Sequence, residues 1–430
     1  VKGGGTSLKD HDRFFVIPRQ LFHRISLGGE MFSKKIWLVV SVLMIAVLTI
    51  TACGKTAGSE SKPLTVGLLL VGPANDAGWS QAHFDSMAYV KEKLPGTELI
   101  YLENVYTGSS AHTQTPAELA ADMASKGAKV VIFNSDDQKD NAIKFAQEHP
   151  DVYVIHASGD SAWKEGKNYV DLPNLKNIMG RMEYGKMIAG CAAALTSETG
   201  KIGFLGPLIN DETRRFAASA YLGAKYCWTN YLGKDAADLE FKVTWIGFWF
   251  NIPGVTLDPT QVADDFYNTG YDVVISSIDT TEALTEAKKL TADGKKVWAI
   301  PYDYSGACEG AEDVCLGVEY FNWGPAYLEA IKSAQDGTWK ASFELVGPDW
   351  ADINNKDTSA VGFNKGGALS ADNSAKIDQF IKELGAGLNL WTGPINLQDG
   401  TVYLKDGEVA TDLQVWYLPQ LLEGMEGQSE

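Results

Sequence analysis

From Leu64 onward, short runs of β-branched and other apolar residues alternate with stretches whose apolar positions recur every three or four residues. The apolar runs are residues 64–71, 98–102, 130–134, 152–156, 202–205, 241–246, 273–276 and 297–301. Between them lie amphipathic stretches, among them 116–126, 138–148, 179–195, 211–226, 259–268 and 282–292. Strands apolar along their whole length, separated by helices, predict parallel sheets covered on both faces, because a parallel neighbour is reached only through a crossover. The eight runs divide into two groups of four around 167–174, where a short strand at 168–170 leads through Asp171, Leu172 and Pro173 into a new helix. A single eight-stranded barrel has a similar strand count. Against it, each half opens with a strand that ends in a Gly-Pro turn (Val71-Gly72-Pro73 and Leu205-Gly206-Pro207), followed by an acidic residue and a helix. The expected fold is therefore α/β: two doubly wound parallel-sheet lobes joined by a hinge. Residues 64–170 begin one lobe, 171–303 begin the other, and 304–430 are shared between them.

The segment from Met31 to Cys53 has the three parts of a secretory signal: Lys34 and Lys35, an apolar run from Ile36 to Ile50, and the small residues Thr51 and Ala52 before Cys53. The apolar run is short against the roughly 20 residues of a membrane span. Ile50-Thr51-Ala52-Cys53 resembles a bacterial lipobox, which makes Cys53 the acylated first residue of the mature protein and anchors it outside the cytoplasm. Residues 31–52 are then a lipoprotein signal and 53–63 a tether. Gly28-Gly29-Glu30 would be encoded by a purine-rich stretch of the kind that precedes a start codon, so residues 1–30 are expected to be untranslated leader. Without residues 1–52 the chain has 30 basic against 52 acidic residues, a balance of −22. Such a surface repels phosphate backbones, which argues against a nucleic-acid partner. Cys308 and Cys315 lie close together in a Gly- and acid-rich loop where a small disulfide is plausible, whereas Cys191 and Cys227 read as small buried residues on apolar helices. The six His are scattered, and neither metal nor cofactor is expected.

In doubly wound sheets a ligand lies beyond the carboxyl ends of the strands, so the residues just after each strand are the candidates. After the first strand comes Asp76-Ala77-Gly78-Trp79-Ser80-Gln81-Ala82-His83. Trp79 offers a face to a flat ring and Asp76 an acceptor for ring N–H or hydroxyl groups, or else Trp79 caps the lobe and Asp76 the helix. His83 has the same two readings. The sixth strand runs into Gly247-Phe248-Trp249-Phe250-Asn251, where alternation sends Phe248 and Phe250 to one side and Trp249 to the other. Trp249 is the expected cleft residue, completing a sandwich with Trp79. The other strand ends are polar: Asn134-Ser135-Asp136-Asp137, His156-Ala157-Ser158-Gly159-Asp160, Ser276-Ser277-Ile278-Asp279-Thr280 and Pro301-Tyr302-Asp303-Tyr304. Asn134 and Ser135 are candidates among them, and Asp279 and Asp303 the foremost, since paired carboxylates suit the N–H edge of a nucleobase or a sugar diol. No nucleophile elbow, phosphate-binding Gly loop or metal motif follows Cys53, so no enzymatic activity is expected.

Several segments, in order, resemble the basic-membrane-protein group of ABC-transporter substrate-binding lipoproteins, a family that binds purine nucleosides or nucleobases. They are Val66-Gly67 through Gly78-Trp79-Ser80-Gln81, Phe145-Ala146 with Pro150-Asp151-Val152, Gly180-Arg181-Met182-Glu183-Tyr184, Trp249-Phe250-Asn251, Asn322-Trp323-Gly324-Pro325, Asp336-Gly337-Thr338-Trp339 and Trp391-Thr392-Gly393-Pro394 to Gly407-Glu408. The resemblance implies a type I periplasmic-binding fold with three crossings between lobes, and a membrane permease as partner to a monomer. It also implies stacking roles for Trp79, with Ser80 beside it, and for Trp249. Asp140 matches an acidic residue after the third strand and Asp303 one after the eighth. Asn322-Trp323 stands where nucleoside binders have an acidic/Lys pair for ribose, a departure that leaves base and nucleoside both open. A ligand-sensing lipoprotein, or a binder of another flat heterocycle or a sugar, is the alternative.

Overall fold

The computed structural model describes residues 63–430, so the expected signal, the anchor Cys53 and most of the tether lie outside the described residues. Nearest the start of the described chain is a six-stranded, wholly parallel sheet. Its strands are β1 (Thr65–Leu69), β2 (Glu98–Leu102), β3 (Ala128–Phe133), β4 (Tyr153–Ala157), β5 (Leu175–Gly180) and β12 (Phe343–Val346), in the order β2-β1-β3-β4-β5-β12. The second sheet repeats the plan with β6 (Lys201–Gly206), β7 (Glu240–Trp245), β8 (Val273–Ser276), β9 (Trp298–Ile300) and a late strand β16 (Met425–Glu426), in the order β16-β7-β6-β8-β9. Burial along β1, β3 and β8 is nearly continuous, as strands covered on both faces require.

The helices are α1 (Trp79–Lys93), α2 (Pro116–Ser125), α3 (Lys139–Glu148), α4 (Met182–Thr196), α5 (Asp211–Asn230), α6 (Pro259–Asn268), α7 (Glu282–Ala292), α8 (Gly324–Gln335), α9 (Ala371–Gly385) and α10 (Asp412–Trp416). The chain crosses between the sheets three times. It leaves the first after β5 and enters α4, which packs on α5. It returns after β11 (Gly317–Phe321) to α8, which packs on α1, and then to β12. It departs again through β13 (Val361–Lys365), antiparallel to β11, towards α9, which packs on α4. β10 (Tyr302–Asp303), β11 and β13 form a small sheet of their own at these crossings.

Two expectations need correction. Residues 168–170 form no strand, because Asn168 turns back to hydrogen-bond Asp160 and Val170 N–H bonds Ser161 O within one loop. β5 instead pairs with β4, so the first sheet runs on to Gly180, past the expected boundary at 170/171, and the next helix starts at Met182 rather than 179. Cys191 and Cys227 are not lone buried thiols. They are joined in a disulfide between α4 and α5, with Cα atoms 5.2 Å apart, and a second disulfide joins Cys308 to Cys315. α4 and α5 approach so closely that a Cβ on Gly190 would lie 1.8 Å from Ala220 O and one on Gly223 2.0 Å from Met187 O. Only glycine at both points permits that contact. No helix among the described residues is long and apolar enough to cross a membrane.

Candidate functional site

In each sheet one pair of adjacent strands sends its following loops apart: β1 beside β3 in the first, β6 beside β8 in the second. The loops after these strands meet around a narrow pocket. The first sheet contributes Trp79, Ser135, Asp136 and Ser158, and the second contributes Glu212, Trp249 and Asp279, with Tyr302 of β10 beside them.

Trp79 opens α1. Its indole N–H donates to Asn134 O, and its ring meets Phe321 and Trp323 edge-on, with centroids 5.3 Å away in each case. Trp249 is only 8% exposed, yet it belongs to none of the four apolar clusters among the described residues. It lines the pocket, and its carbonyl accepts from Asp279 N–H at 2.9 Å. β7 ends at Trp245, and Gly247 turns the chain with φ +105°, so the three aromatics follow the strand rather than extend it. Even so, Phe248 and Phe250 go together to Tyr106 of the first lobe, with centroids at 5.7 and 5.5 Å, while Trp249 faces the pocket.

The polar side is acidic and short of partners. Tyr302 Oη, both carboxylate oxygens of Asp303, Ser276 Oγ, Ser277 Oγ and Asn134 Nδ2 are buried without a hydrogen-bond partner. Orphaned buried polar atoms cost about 1–3 kcal/mol each, so a group at strand ends marks a surface built to be satisfied by something else. Asp303 and Ser158 both have φ +73°, a left-handed conformation that carries strain in a non-glycine residue. Burial, reinforced by the charge of Asp279, pushes Asp303 well above the usual carboxylate range, against the opposing pull of Lys186. Burial likewise raises Asp279, helped by Asp76 and Glu212. Lys186 is fully buried, 2.7 Å from Glu319 and 3.4 Å from the centre of the Tyr302 ring. Burial lowers its pKa, against the pull of Glu319, whose own carboxyl burial pushes up to about 7. Among the described residues no group of three or more His, Cys, Asp or Glu is placed to hold a metal ion.

Of the candidates read from the sequence, Trp79, Ser135, Trp249 and Asp279 line the pocket, and Asp303 lies against it through Asp279 and Tyr302. The rest serve other ends. Asp76 accepts from the backbone N–H of Gly78, Ser80 and Gln81, so it caps α1 and its oxygens are engaged. Ser80 Oγ accepts from Gly72 N–H. His83 bonds the Tyr327 hydroxyl through Nδ1 and stacks on Trp323 at 4.4 Å, so both rings form the wall behind Trp79. Asn134 Oδ1 accepts from Val71 N–H. Asn322 Nδ2 donates to Lys356 O and Ser359 O, pinning the crossing strands. Asp140 is exposed. The 3₁₀ turn Asp136–Gln138 intervenes before α3, so the acidic residue at the pocket is Asp136, one helical turn earlier. Asp136, Ser158 and Tyr302 belong to the polar strand ends, where nothing in the sequence separates them from their neighbours. Glu212 gave no signal beyond its place in the first turn of a capped helix.

The two lobes are shut on each other. A Cβ on Gly78 would fall 1.8 Å from the carbonyl oxygen of Asp279 across the cleft, and Asn210 Nδ2 reaches Asp136 Oδ2 at 3.4 Å. Burial pushes Glu212 up to about 8, from 4.5 in the free side chain, with Arg215 opposing. A carboxyl whose folded pKa is raised contributes stability below the unfolded value and loses it as pH rises through the folded one. The melting temperature of the ligand-free protein is therefore expected to fall between about pH 5 and pH 9, and Glu212→Gln to flatten that slope. Thermal melts across this range check it, and parallel slopes in parent and variant contradict the assignment.

Residues 64–364 match the family Bmp, described as ABC transporter substrate-binding protein PnrA-like. A purine-binding protein of Brucella abortus is 28% identical over 374 residues, covering 86% of this chain and 95% of its own. Basic membrane protein D of Borreliella burgdorferi is 23% identical, covering 69% of this chain and 89% of its own. Among solved structures, an ABC-transporter solute-binding protein of Aeropyrum pernix superposes with a TM-score of 0.59 at 16% identity, over 78% of this chain and 93% of that one. A second, from Conexibacter woesei, gives 0.54 at 15% identity, over 75% and 97%. The fold is thus that of type I periplasmic binding proteins, and the family is one of solute carriers, not of enzymes. With two lobes, three crossings and a cleft at paired strand ends on one side, and a match over residues 64–364 on the other, this chain belongs to the Bmp family of PnrA-like ABC-transporter substrate-binding proteins.

Proposed function

We propose that the protein captures a purine base or nucleoside outside the cytoplasm and delivers it to an ABC permease, acting as a monomer held to the membrane through acylated Cys53. One observation carries the ligand assignment: two indoles from opposite lobes, Trp79 and Trp249, line one narrow pocket. Stacked aromatics favour a flat ring over a puckered one, and each such contact is worth about 0.5–1.5 kcal/mol beyond burial. The edge of the ring meets Asp279 and the neighbouring Asp303 and Tyr302, whose unpartnered oxygens suit a heterocycle carrying both N–H donors and ring-nitrogen acceptors. The purine-binding relative supports the same class of ligand.

A calorimetric panel of purine bases, purine nucleosides, pyrimidines, riboflavin and glucose tests this reading. Saturable 1:1 binding of at least one purine, with the hexose silent, is the expected result. Glucose binding with every purine silent contradicts it.

A further inference from the structure

Beyond residue 364, where the family match ends, the chain makes an excursion that the three crossings do not account for. Trp391, Ile395, Leu397 and Leu404 pack into the apolar cluster built around α4 and α5 of the second lobe. α10 then leaves that lobe, and Trp416 and Tyr417 pack into the cluster around β1 and α1 of the first. The next residue, Leu418, is back in the second-lobe cluster, and β16 follows beside β7 in the second sheet. Residues 411–417 are thus a hook that one lobe extends into the other.

Contacts fix the hook on both sides. On the first lobe, the Tyr417 hydroxyl donates to Asp160 at 2.6 Å and accepts from Lys167 N–H at 2.8 Å, and the Trp416 ring meets Phe343 edge-on at 5.0 Å. On the second, Arg214 Nε donates to Leu418 O at 2.8 Å, and the Arg215 guanidinium carbon lies 4.0 Å from the centre of the Trp416 ring. Asp160 and Arg215 belong to opposite walls of a gap between the lobes, and Trp416 lines it as well. This gap adjoins the indole-lined pocket, since Asp136, Ser158 and Glu212 line both.

We propose that the hook is a latch that holds the lobes together beside the ligand pocket and sets how fast a captured ligand is released. It goes beyond the choice of ligand, because it acts on whatever the shut cleft holds. Opening must widen the gap between Asp160 and Arg215, and the hook spans that gap. Its second-lobe side is continuous with a paired strand and with core residues, whereas its first-lobe side is held by the side chains of Trp416 and Tyr417, so the first-lobe hold is the one that must break. A hydrogen bond to a carboxylate shifts an equilibrium by about tenfold or more, and here the shift opposes opening.

Two variants loosen the first-lobe hold by different routes. Tyr417→Phe removes the hydroxyl and keeps the ring. Gly166→Ala leaves the hook intact but sets a Cβ 2.7 Å from the Tyr417 hydroxyl oxygen. Stopped-flow fluorescence with adenine and adenosine as probes is expected to show release about tenfold or more faster in both variants, with association little changed. Small-angle scattering of the same proteins without ligand is expected to give both variants a larger maximum dimension than the parent. Where a probe binds, release at the parent's rate in both variants would overturn the latch, even if their melting temperatures fall, and would make the hook a structural tie only. If neither probe binds the parent, the purine reading fails, and the scattering comparison decides the latch by itself: equal dimensions overturn it.

Discussion

Trp249→Ala is expected to weaken ligand binding by about 1–3 kcal/mol, the cost of removing one stacking face from a base, while leaving the fold in place. The fold should survive because Trp249 packs into no apolar cluster of the described residues, and its structural contact, the carbonyl that accepts from Asp279, is backbone that alanine retains. Trp79 is the opposite case. Its ring is built into the cluster with Phe321, Trp323 and His83, so Trp79→Ala should also cost about 3–5 kcal/mol of stability, as large-to-small changes in packed cores do. The pair separates stacking from packing. Calorimetry beside a urea melt is expected to show binding alone affected at Trp249 and both quantities affected at Trp79. A Trp249 variant with the parent's affinity contradicts the sandwich.

Gly78→Ala is the second large effect, and it acts through closure. The added Cβ would meet backbone at 1.8 Å, and backbone cannot rotate out of the way as a flexible side chain can. The lobes must then stay apart or the loop must shift. If only about one molecule in a hundred reaches the shut form, apparent affinity falls on the order of a hundredfold even though no ligand contact has been touched. Small-angle scattering with saturating ligand should show the parent more compact than Gly78→Ala, and equal compaction contradicts the role given to this glycine. In the sequence Gly78 stands out only as part of a family signature, Gly78-Trp79. Its physical reason is visible only when Asp279 is brought in from the other half of the chain.

That contrast runs through the molecule. Most strands of both sheets are legible because their apolar residues run continuously, and strand 98–102 and helices 259–268 and 282–292 match residue for residue. β5 was not legible. Leu175–Gly180 contains Lys176 and Asn177, which look unlike a buried strand until Lys176 is seen paired with Glu344 of the neighbouring strand. The segment from 304 to 430 shows no readable division, because some of its strands are only two residues long and too brief to show a period. At the site, strand-end logic found both indoles and Asp279, whereas the resemblance pointed to Asp140 where Asp136 lines the pocket, because a single 3₁₀ turn decides which acidic residue faces inward. The disulfide between Cys191 and Cys227 joins residues 36 positions apart on apolar helices, where nothing local distinguishes a bonded cysteine from a small hydrophobic one. The carboxyls of Asp279, Asp303 and Glu212 are raised first by burial and then by neighbouring carboxylates, and no local pattern encodes a burial that the two lobes create together.

A crystal structure of the protein with a bound purine reads the central geometry directly. The flat ring should lie between the indoles of Trp79 and Trp249 with its polar edge towards Asp279, Asp303 and Tyr302. A purine found in another groove, or in this cleft but touching neither indole, contradicts the account.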